Sequence, residues 1–239
     1  VVEHAQLVEF AFKNNGYTTW RNIYDTTSYG DSCSKTMQKA LEKAGGKVLS
    51  VDGVPVGTQD FRPILSRLKT LDPSPQAVYF GGVVSEAALL RLQMLEMGMD
   101  NYLYAGVTGF DSETFNKTAG KASEGTLIIG KKAIGKESAF VQAYEKAGYK
   151  EYYEATGPYA YDATNLIIAA INKVGPKDKK LLAKTLRGMD YNGILGNTRF
   201  DEFGQTETGG LTLKVSQAGD WVPWESSDYA AGKRSLPSK

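Results

Sequence analysis

The chain has 239 residues, of which 41% are hydrophobic, and it carries 28 basic and 27 acidic side chains. This composition supports one large domain or two modest ones with true cores, and it excludes an intrinsically disordered chain. The charges nearly cancel and no basic run is interleaved with aromatic residues, so nucleic acid is not an expected partner. No apolar run approaches the ~20 residues that a membrane-spanning helix needs.

Cys33 and His4 are the single cysteine and the single histidine of the sequence. They can form neither an internal disulfide, nor a metal-ligand cluster, nor a Cys/His nucleophile arrangement, so we expect no metal and no cofactor. Cys33 lies on the apolar face of a predicted helix, where cysteine is typically a small buried residue. The sequence shows no signal peptide, so we expect the chain to be either intracellular or already processed.

Residues 21–44 predict a strand, a tight turn and an amphipathic helix in succession. The strand covers 21–25 and the turn 26–30, and apolar residues then recur at the spacing of one helix face. Asp31 or Ser32 is expected to cap this helix, and Gly45 to end it in a left-handed conformation. Ligands of open α/β sheets lie beyond the carboxyl ends of the strands, where loops meet helices. This places Ser28 and Tyr29 at the mouth of a possible cleft.

The first 130 residues repeat this alternation with short connections. Further helices are predicted at 5–12, 61–71, 85–95 and 111–118, and further strands at 47–51, 77–80, 101–105 and 127–129. Residues 77–80 are wholly apolar, as expected of a parallel strand that is covered on both faces, and Ser85 is the expected cap of the helix after it. The alternation predicts right-handed βαβ units in a parallel sheet.

After residue 130 the pattern changes. Helices are predicted at 137–147, 159–174 and 177–187, and the apolar run 166–171 predicts a buried segment. From residue 192 the pattern is β, with strands expected at 198–200, 211–215 and 221–224. Three helices and a β tail do not easily extend the first sheet. We therefore expect them to form a second lobe or a cover for the first.

Several segments occur in an order that resembles a known family. The segments are YDTTSYGDS (24–32), GTQDFRPILSRL (57–68), AVYFGG (77–82), RLQMLEMG (91–98), TAGKASEG (118–125), YAYDATNL (159–166) and GNTRFDEFG (196–204). Together they resemble the substrate-binding proteins of ABC transporters of the branched-chain amino-acid type. No single motif is diagnostic, but their collinear order covers almost the whole chain.

The resemblance implies a type I periplasmic-binding-protein-like α/β fold, with a parallel-sheet Rossmann-like lobe and part of a second lobe. Residues 1–15 would be a helix leading in from the first lobe, 16–130 the second lobe, 131–208 a return to the first lobe, and 209–239 a crossover and tail. A family member normally has well over a hundred residues before this point. We therefore expect a fragment completed by a separate N-terminal piece, or a shortened relative completed by a second copy.

The resemblance also implies the ligand-contacting positions. Tyr29 matches an aromatic residue that lines the cleft, although it could be a turn tyrosine that packs on the next helix. Gly82 and Val83 follow the strand at 77–80, where backbone approaches ligand, although they could form a simple tight turn. Tyr159, like Tyr161, could face the cleft or pack in a core.

Thr108 stands at or near the point where amino-acid-binding relatives often place an acidic residue for the ligand's ammonium group. A hydroxyl group cannot supply that charge, and a buried ammonium without a partner is costly. Asp111 is close enough to substitute, although it could instead cap its helix. If it is a cap, the ligand could be a carboxylate, an amide or an aromatic acid.

The expected function is capture of a small solute between two lobes, enclosure by hinge closure and delivery to an ABC permease in the periplasm or another extracytoplasmic space. A ligand sensor of the same fold is the alternative. An enzyme is not expected, because no G-x-G-x-x-G or P-loop follows the first strand and no nucleophile and base are placed together. The acidic pair Asp201 and Glu202 lies in a predicted turn and indicates turn chemistry, not acid/base catalysis.

Overall fold

A computed structural model describes residues 2–71, 73–132, 134–135, 137–150, 153, 156–206 and 210–237. The chain divides into two compact units. The first unit comprises Val1–Gly130 and Thr212–Lys239, and the second unit comprises Lys131–Leu211. Which lobe of the family each unit represents stays a prediction.

The strands follow the predicted order in the first 130 residues. They are β1 (Thr19–Asp25), β2 (Lys47–Val54), β3 (Ala77–Gly81), β4 (Leu103–Gly106), β5 (Leu127–Lys131), β6 (Tyr191–Gly193), β7 (Gly196–Thr198), β8 (Leu211–Gln217) and β9 (Asp220–Pro223). Seven of them form one sheet in the order β2-β1-β3-β4-β5-β8-β9. The five strands from β1 to β5 pair in parallel, whereas β8 and β9 pair antiparallel.

The helices lie between these strands and after them. They are α1 (Val2–Val8), α2 (Ser28–Ala44), α3 (Arg62–Lys69), α4 (Val84–Glu96), α5 (Glu113–Ala119), α6 (Ala139–Ala147), α7 (Gly157–Val174) and α8 (Lys179–Arg187). A π-helix continues α1 over Glu9–Asn14, and short 3-10 helices cover Thr108–Phe110, Gly120–Ser123 and Trp224–Ser226.

The β tail joins the main sheet, although we expected that it would not easily extend it. The Ser216 amide donates to the carbonyl of Thr126 at 2.9 Å, and the Gly125 amide donates to the carbonyl of Ser216 at 2.9 Å. These bonds place β8 beside β5. Strand pairing between segments so far apart in sequence leaves no local periodicity, which is why the chain order alone did not predict it.

The core of the first unit forms because its central strands are covered on both faces. Every residue of β3 and β4 is buried, as the apolar run at 77–80 predicted. Phe110 lies at the centre of an aromatic stack, with its ring centroid 5.8 Å from that of Tyr104 and 5.4 Å from that of Phe115. Cys33 of α2 is also buried, as predicted.

Two helix starts differ from the prediction, and one helix end agrees with it. Thr27, not Asp31 or Ser32, caps α2, because its hydroxyl oxygen accepts the Gly30 amide at 3.0 Å. The cap position of α4 is Val83, whose side chain makes no capping bond, and not Ser85. Gly45 ends α2 with φ of 92°, the left-handed conformation that glycine tolerates best.

The second unit consists of α6, α7, α8 and the β6–β7 hairpin. Its buried cluster contains Leu166, Ala170 and Met189. The expectation that 166–171 is buried throughout was wrong, since Ile167 and Ile168 are 45% and 48% exposed. A helix buries one stripe of side chains, so an apolar run longer than a turn also places apolar residues on the opposite face. The hairpin begins at β6, just before the expected β region.

Candidate ligand-binding site

The candidate site lies where the order of the sheet reverses. After β1 the chain forms β2 on one side of it, and β3 then pairs on the other side. In open α/β sheets such a switch point leaves a crevice beyond the carboxyl ends of the two central strands. In this chain those ends are Asp25 of β1 and Gly81 of β3, so the loops that follow them form the edge of the crevice.

Ser28 and Tyr29 occupy the first turn of α2 and not a preceding turn, because Thr27 starts the helix early. Ser28 is exposed, and Tyr29 is 41% exposed. A methyl group on Gly109 would lie 3.2 Å from the Tyr29 hydroxyl oxygen and would overlap the carbonyl oxygen of Gly82. Tyr29 therefore lies beside the contact between the loops that follow β3 and β4.

Gly82 and Val83 form the loop between β3 and α4. Gly82 is buried, whereas Val83 is 44% exposed in an extended conformation. A side chain on Gly82 would overlap Phe80 and the Asp25 carboxylate, so glycine is required for this close approach. The structure thus brings together the loops that carry Ser28, Tyr29, Gly82, Val83 and, through Gly109, the neighbouring Thr108.

Asp25 lies beneath these loops and was not among the predicted site residues. Its side chain is fully buried, and its Oδ1 atom accepts bonds from the Thr27 amide at 3.0 Å and from the Thr27 hydroxyl group. Its Oδ2 atom has no hydrogen-bond partner among the residues that the structure describes. The sequence did contain a signal for Asp25: it is an acidic residue at the end of a buried strand, two positions before a helix cap.

Thr108 begins the 3-10 helix Thr108–Phe110, and Asp111 follows it. The reading of Asp111 as a helix cap was wrong, because Ser112 caps α5 by accepting the Thr114 amide. Both carboxylate oxygens of Asp111 instead accept bonds from Lys214 of β8, at 2.8 and 2.9 Å. An ammonium group would therefore compete with Lys214 for this carboxylate.

The Asp111–Lys214 pair is buried. Each side chain is 5% exposed, and a methyl group on Gly130 would lie 2.6 Å from Asp111 Oδ2. Water is largely excluded, so the two charges interact strongly but removal of either would leave a buried unpaired charge. Lys214 was missed from sequence because it lies far along the chain in a strand whose place in the sheet was not predicted.

Tyr159 and Tyr161 belong to α7 of the second unit. The Nζ atom of Lys131 lies 5.1 Å from the centroid of the Tyr159 ring, a cation–π geometry. Tyr161 is 47% exposed, and its ring centroid is 5.3 Å from that of Phe140. A ligand role for Tyr159 stays a prediction.

Comparison with known proteins identifies the family. The sequence profile described as "Periplasmic binding protein" matches residues 2–220. The chain belongs to the periplasmic binding protein family. The resemblance drawn from its motifs is thus confirmed, and so is the type I α/β fold class.

Similar proteins include solute-binding proteins for branched-chain amino acids. The leucine-, isoleucine-, valine-, threonine- and alanine-binding protein of Pseudomonas aeruginosa is 31% identical over 194 residues, which are 80% of this chain and 51% of that protein. The crystal structure of a leucine-binding protein, LivK, from Thermotoga maritima has a TM-score of 0.78 at 25% identity and covers 93% of this chain and 64% of that one.

Structures with lower identity share the fold. A benzoate-bound solute-binding protein from R. palustris has a TM-score of 0.78 at 17% identity and covers 92% of this chain and 62% of that one. The chain spans about half the length of the curated relatives it matches. Among the described residues, no helix is both long and apolar enough to cross a membrane.

Proposed function

We propose that the chain binds a small solute at the crevice of the first unit and delivers it to the permease of an ABC transporter. The observation that carries the proposal is the family match over residues 2–220. Delivery by such a protein takes place outside the cytoplasm and involves no chemical step, so we assign the chain an extracytoplasmic, non-catalytic role.

Two ligand classes fit this edge of the sheet. The relatives named above favour a branched-chain or other amino acid. The salt bridge between Lys214 and Asp111 favours a solute without an ammonium group, such as a carboxylate, an amide or an aromatic acid. The Asp111 carboxylate already has a positively charged partner and would not attract an ammonium group strongly. Apolar wall area and a few directed hydrogen bonds would supply the affinity for either class.

Native mass spectrometry followed by titration calorimetry tests the proposal. A spectrum recorded under gentle conditions reports a retained solute and any partner on the chain of 26.0 kDa. The titrants are L-isoleucine, L-leucine, 4-methyl-2-oxopentanoate, which replaces the amino group of leucine with a keto group, and benzoate. Saturable binding of at least one is expected. No adduct and no heat with any of the four would contradict the proposed function.

The keto acid separates the two ligand classes. Leucine and 4-methyl-2-oxopentanoate share their side chain and their carboxylate, so a difference in affinity reports recognition of the ammonium group. Stronger binding of leucine supports the amino-acid class. Stronger binding of the keto acid supports a site in which Lys214 has neutralised the nearby acid.

A further inference from the structure

The carboxylate of Asp25 lies between two loops that follow different strands. Its Oδ1 atom faces the loop after β1, where it accepts the Thr27 amide at 3.0 Å and the Thr27 hydroxyl group. Its Oδ2 atom faces the loop after β3, where a methyl group on Gly82 would lie 2.6 Å from it. One side chain therefore contacts both loops that carry the predicted ligand residues.

The second carboxylate oxygen of Asp25 packs against Gly82. A buried oxygen without a hydrogen-bond donor is costly, and Oδ2 has none among the described residues. An added methyl group at Gly82 would lie 2.6 Å from Oδ2, so a Cα–H group of Gly82 lies on the side of this oxygen, where it can make a weak Cα–H···O contact. A side chain at Gly30 would also overlap Oδ1, so glycine is required on both sides of the carboxylate.

The role of Asp25 differs from that of a helix cap. Thr27 already caps α2 through the Gly30 amide, and Asp25 fixes the position of Thr27 itself. Tyr29 follows two residues later in the first turn of the same helix. A shift of Thr27 would therefore move the tyrosine ring relative to Gly82.

We propose that Asp25 is a positioning residue that couples the loop carrying Tyr29 to the loop carrying Gly82, and so holds both in the arrangement that binds the solute. This inference rests on the proposed function for its link to affinity. The coupling of the two loops is a property of the protein without ligand and can be measured separately.

Hydrogen exchange of backbone amides tests the coupling in the full chain without ligand. Asp25→Ala should accelerate exchange both at 27–31 and at 82–84, because one contact is lost to each loop. Asp52→Asn is the matched control. Asp52 forms a salt bridge with Arg21 of β1 at 2.5 Å, and none of its hydrogen bonds or ion pairs with described residues reaches either loop. Asp52→Asn should not accelerate exchange preferentially at 27–31 and 82–84. Acceleration confined to 27–31 in Asp25→Ala would overturn the proposal.

A second pair of variants tests the coupling from the other loop. Gly82→Ala should change the exchange of Thr27 and Tyr29, because its methyl group would displace the Asp25 carboxylate. The same substitution made together with Asp25→Ala should change them less, because the carboxylate is gone. Equal effects in the two backgrounds would mean that Asp25 does not connect the loops.

The effect on binding is measured with L-isoleucine as the probe. Asp25→Ala should weaken its binding about tenfold or more, the scale of a lost bond to a charged group. Asp25→Asn should restore much of the affinity, because its amide oxygen can still accept the Thr27 amide. Equal losses in both variants would overturn the proposal. No isoleucine binding by the unsubstituted chain would count against the proposed amino-acid ligand, while the exchange results would still decide the role of Asp25.

Discussion

The two units of the chain bury their apolar residues in different ways. In the first unit, every residue of β3 and β4 is buried, and the rings of Phe80 and Tyr104 on these strands contact the ring of Phe110, which stacks on Phe115. In the described part of the second unit, a buried cluster consists of Leu166, Ala170 and Met189, and α8 has no buried residue. A strand covered on both faces buries consecutive residues, whereas a helix buries only a stripe.

The difference implies that core substitutions have unequal costs in the two units. Phe110→Ala should destabilise the first unit by about 3 to 5 kcal/mol, since it removes a buried ring from the aromatic stack. Leu166→Ala in the second unit should cost about 2 kcal/mol, the low end for leucine, because its surroundings can collapse. Urea unfolding measures both values.

The positions of the tryptophans allow unfolding of the first unit to be followed separately. Trp20, Trp221 and Trp224 all belong to the first unit. Their fluorescence should therefore report Phe110→Ala strongly and Leu166→Ala hardly at all, whereas far-UV circular dichroism should report both. A fluorescence midpoint lowered equally by the two substitutions would break the distinction between the units.

Breaking the buried ion pair should have an effect as large as that of Phe110→Ala. Lys214→Met should destabilise the first unit by about 3 to 5 kcal/mol, because the Asp111 carboxylate would be left buried and unpaired. The double variant Lys214→Met with Asp111→Asn removes both charges and should recover much of this loss. Tryptophan fluorescence during urea unfolding measures both. A double variant no more stable than Lys214→Met would show that charge is not the cause.

His4 makes the stability of the first unit dependent on pH. Burial lowers its pKa from 6.5 to about 4, and its Nε2 atom lies 2.7 Å from the Tyr79 hydroxyl oxygen. The folded state thus favours neutral histidine, so its contribution is complete above pH 6.5 and is lost as the pH falls towards 4. The loss from pH 7 to pH 4.5 should be about 2 kcal/mol.

His4→Gln is the control for this pH effect, because its amide does not titrate. Chemical unfolding of both proteins at several pH values separates the contribution of His4 to stability from that of carboxylates, which are the same in the two proteins. The stability difference between the two proteins should shrink or reverse as the pH falls. A difference that stays constant from pH 7 to pH 4.5 would contradict the assignment.

The sequence predicted elements with local signals and missed relations between distant segments. The apolar run at 77–80 predicted β3, and Gly45 predicted the end of α2, because neighbouring residues carry both signals. The prediction that Ile167 and Ile168 are buried was wrong, because hydrophobicity alone does not show which face of a helix is covered. Neither Lys214 beside Asp111 nor Asp25 beside Gly82 was predicted, because each contact depends on how separate strands are arranged in the sheet.

Two exposed tyrosines, one in each unit, should differ in their effect on solute binding. Tyr29 lies at the crevice of the first unit beside Gly82 and Gly109, whereas Tyr149 is 64% exposed in the second unit. Tyr29→Ala should weaken solute binding by about 1 to 3 kcal/mol, the scale of a buried aromatic contact. Tyr149→Ala should leave the affinity unchanged.

The most direct test of the proposed site is titration calorimetry of these two variants and the unsubstituted chain with the solute that binds best. Tryptophan fluorescence during urea unfolding confirms that Tyr29→Ala remains folded, and far-UV circular dichroism confirms the same for Tyr149→Ala in the second unit. We expect weaker binding for Tyr29→Ala alone, with its unfolding midpoint unchanged. Equal affinity for Tyr29→Ala and the unsubstituted chain would remove Tyr29 from the site and contradict the assignment of ligand binding to this edge of the sheet.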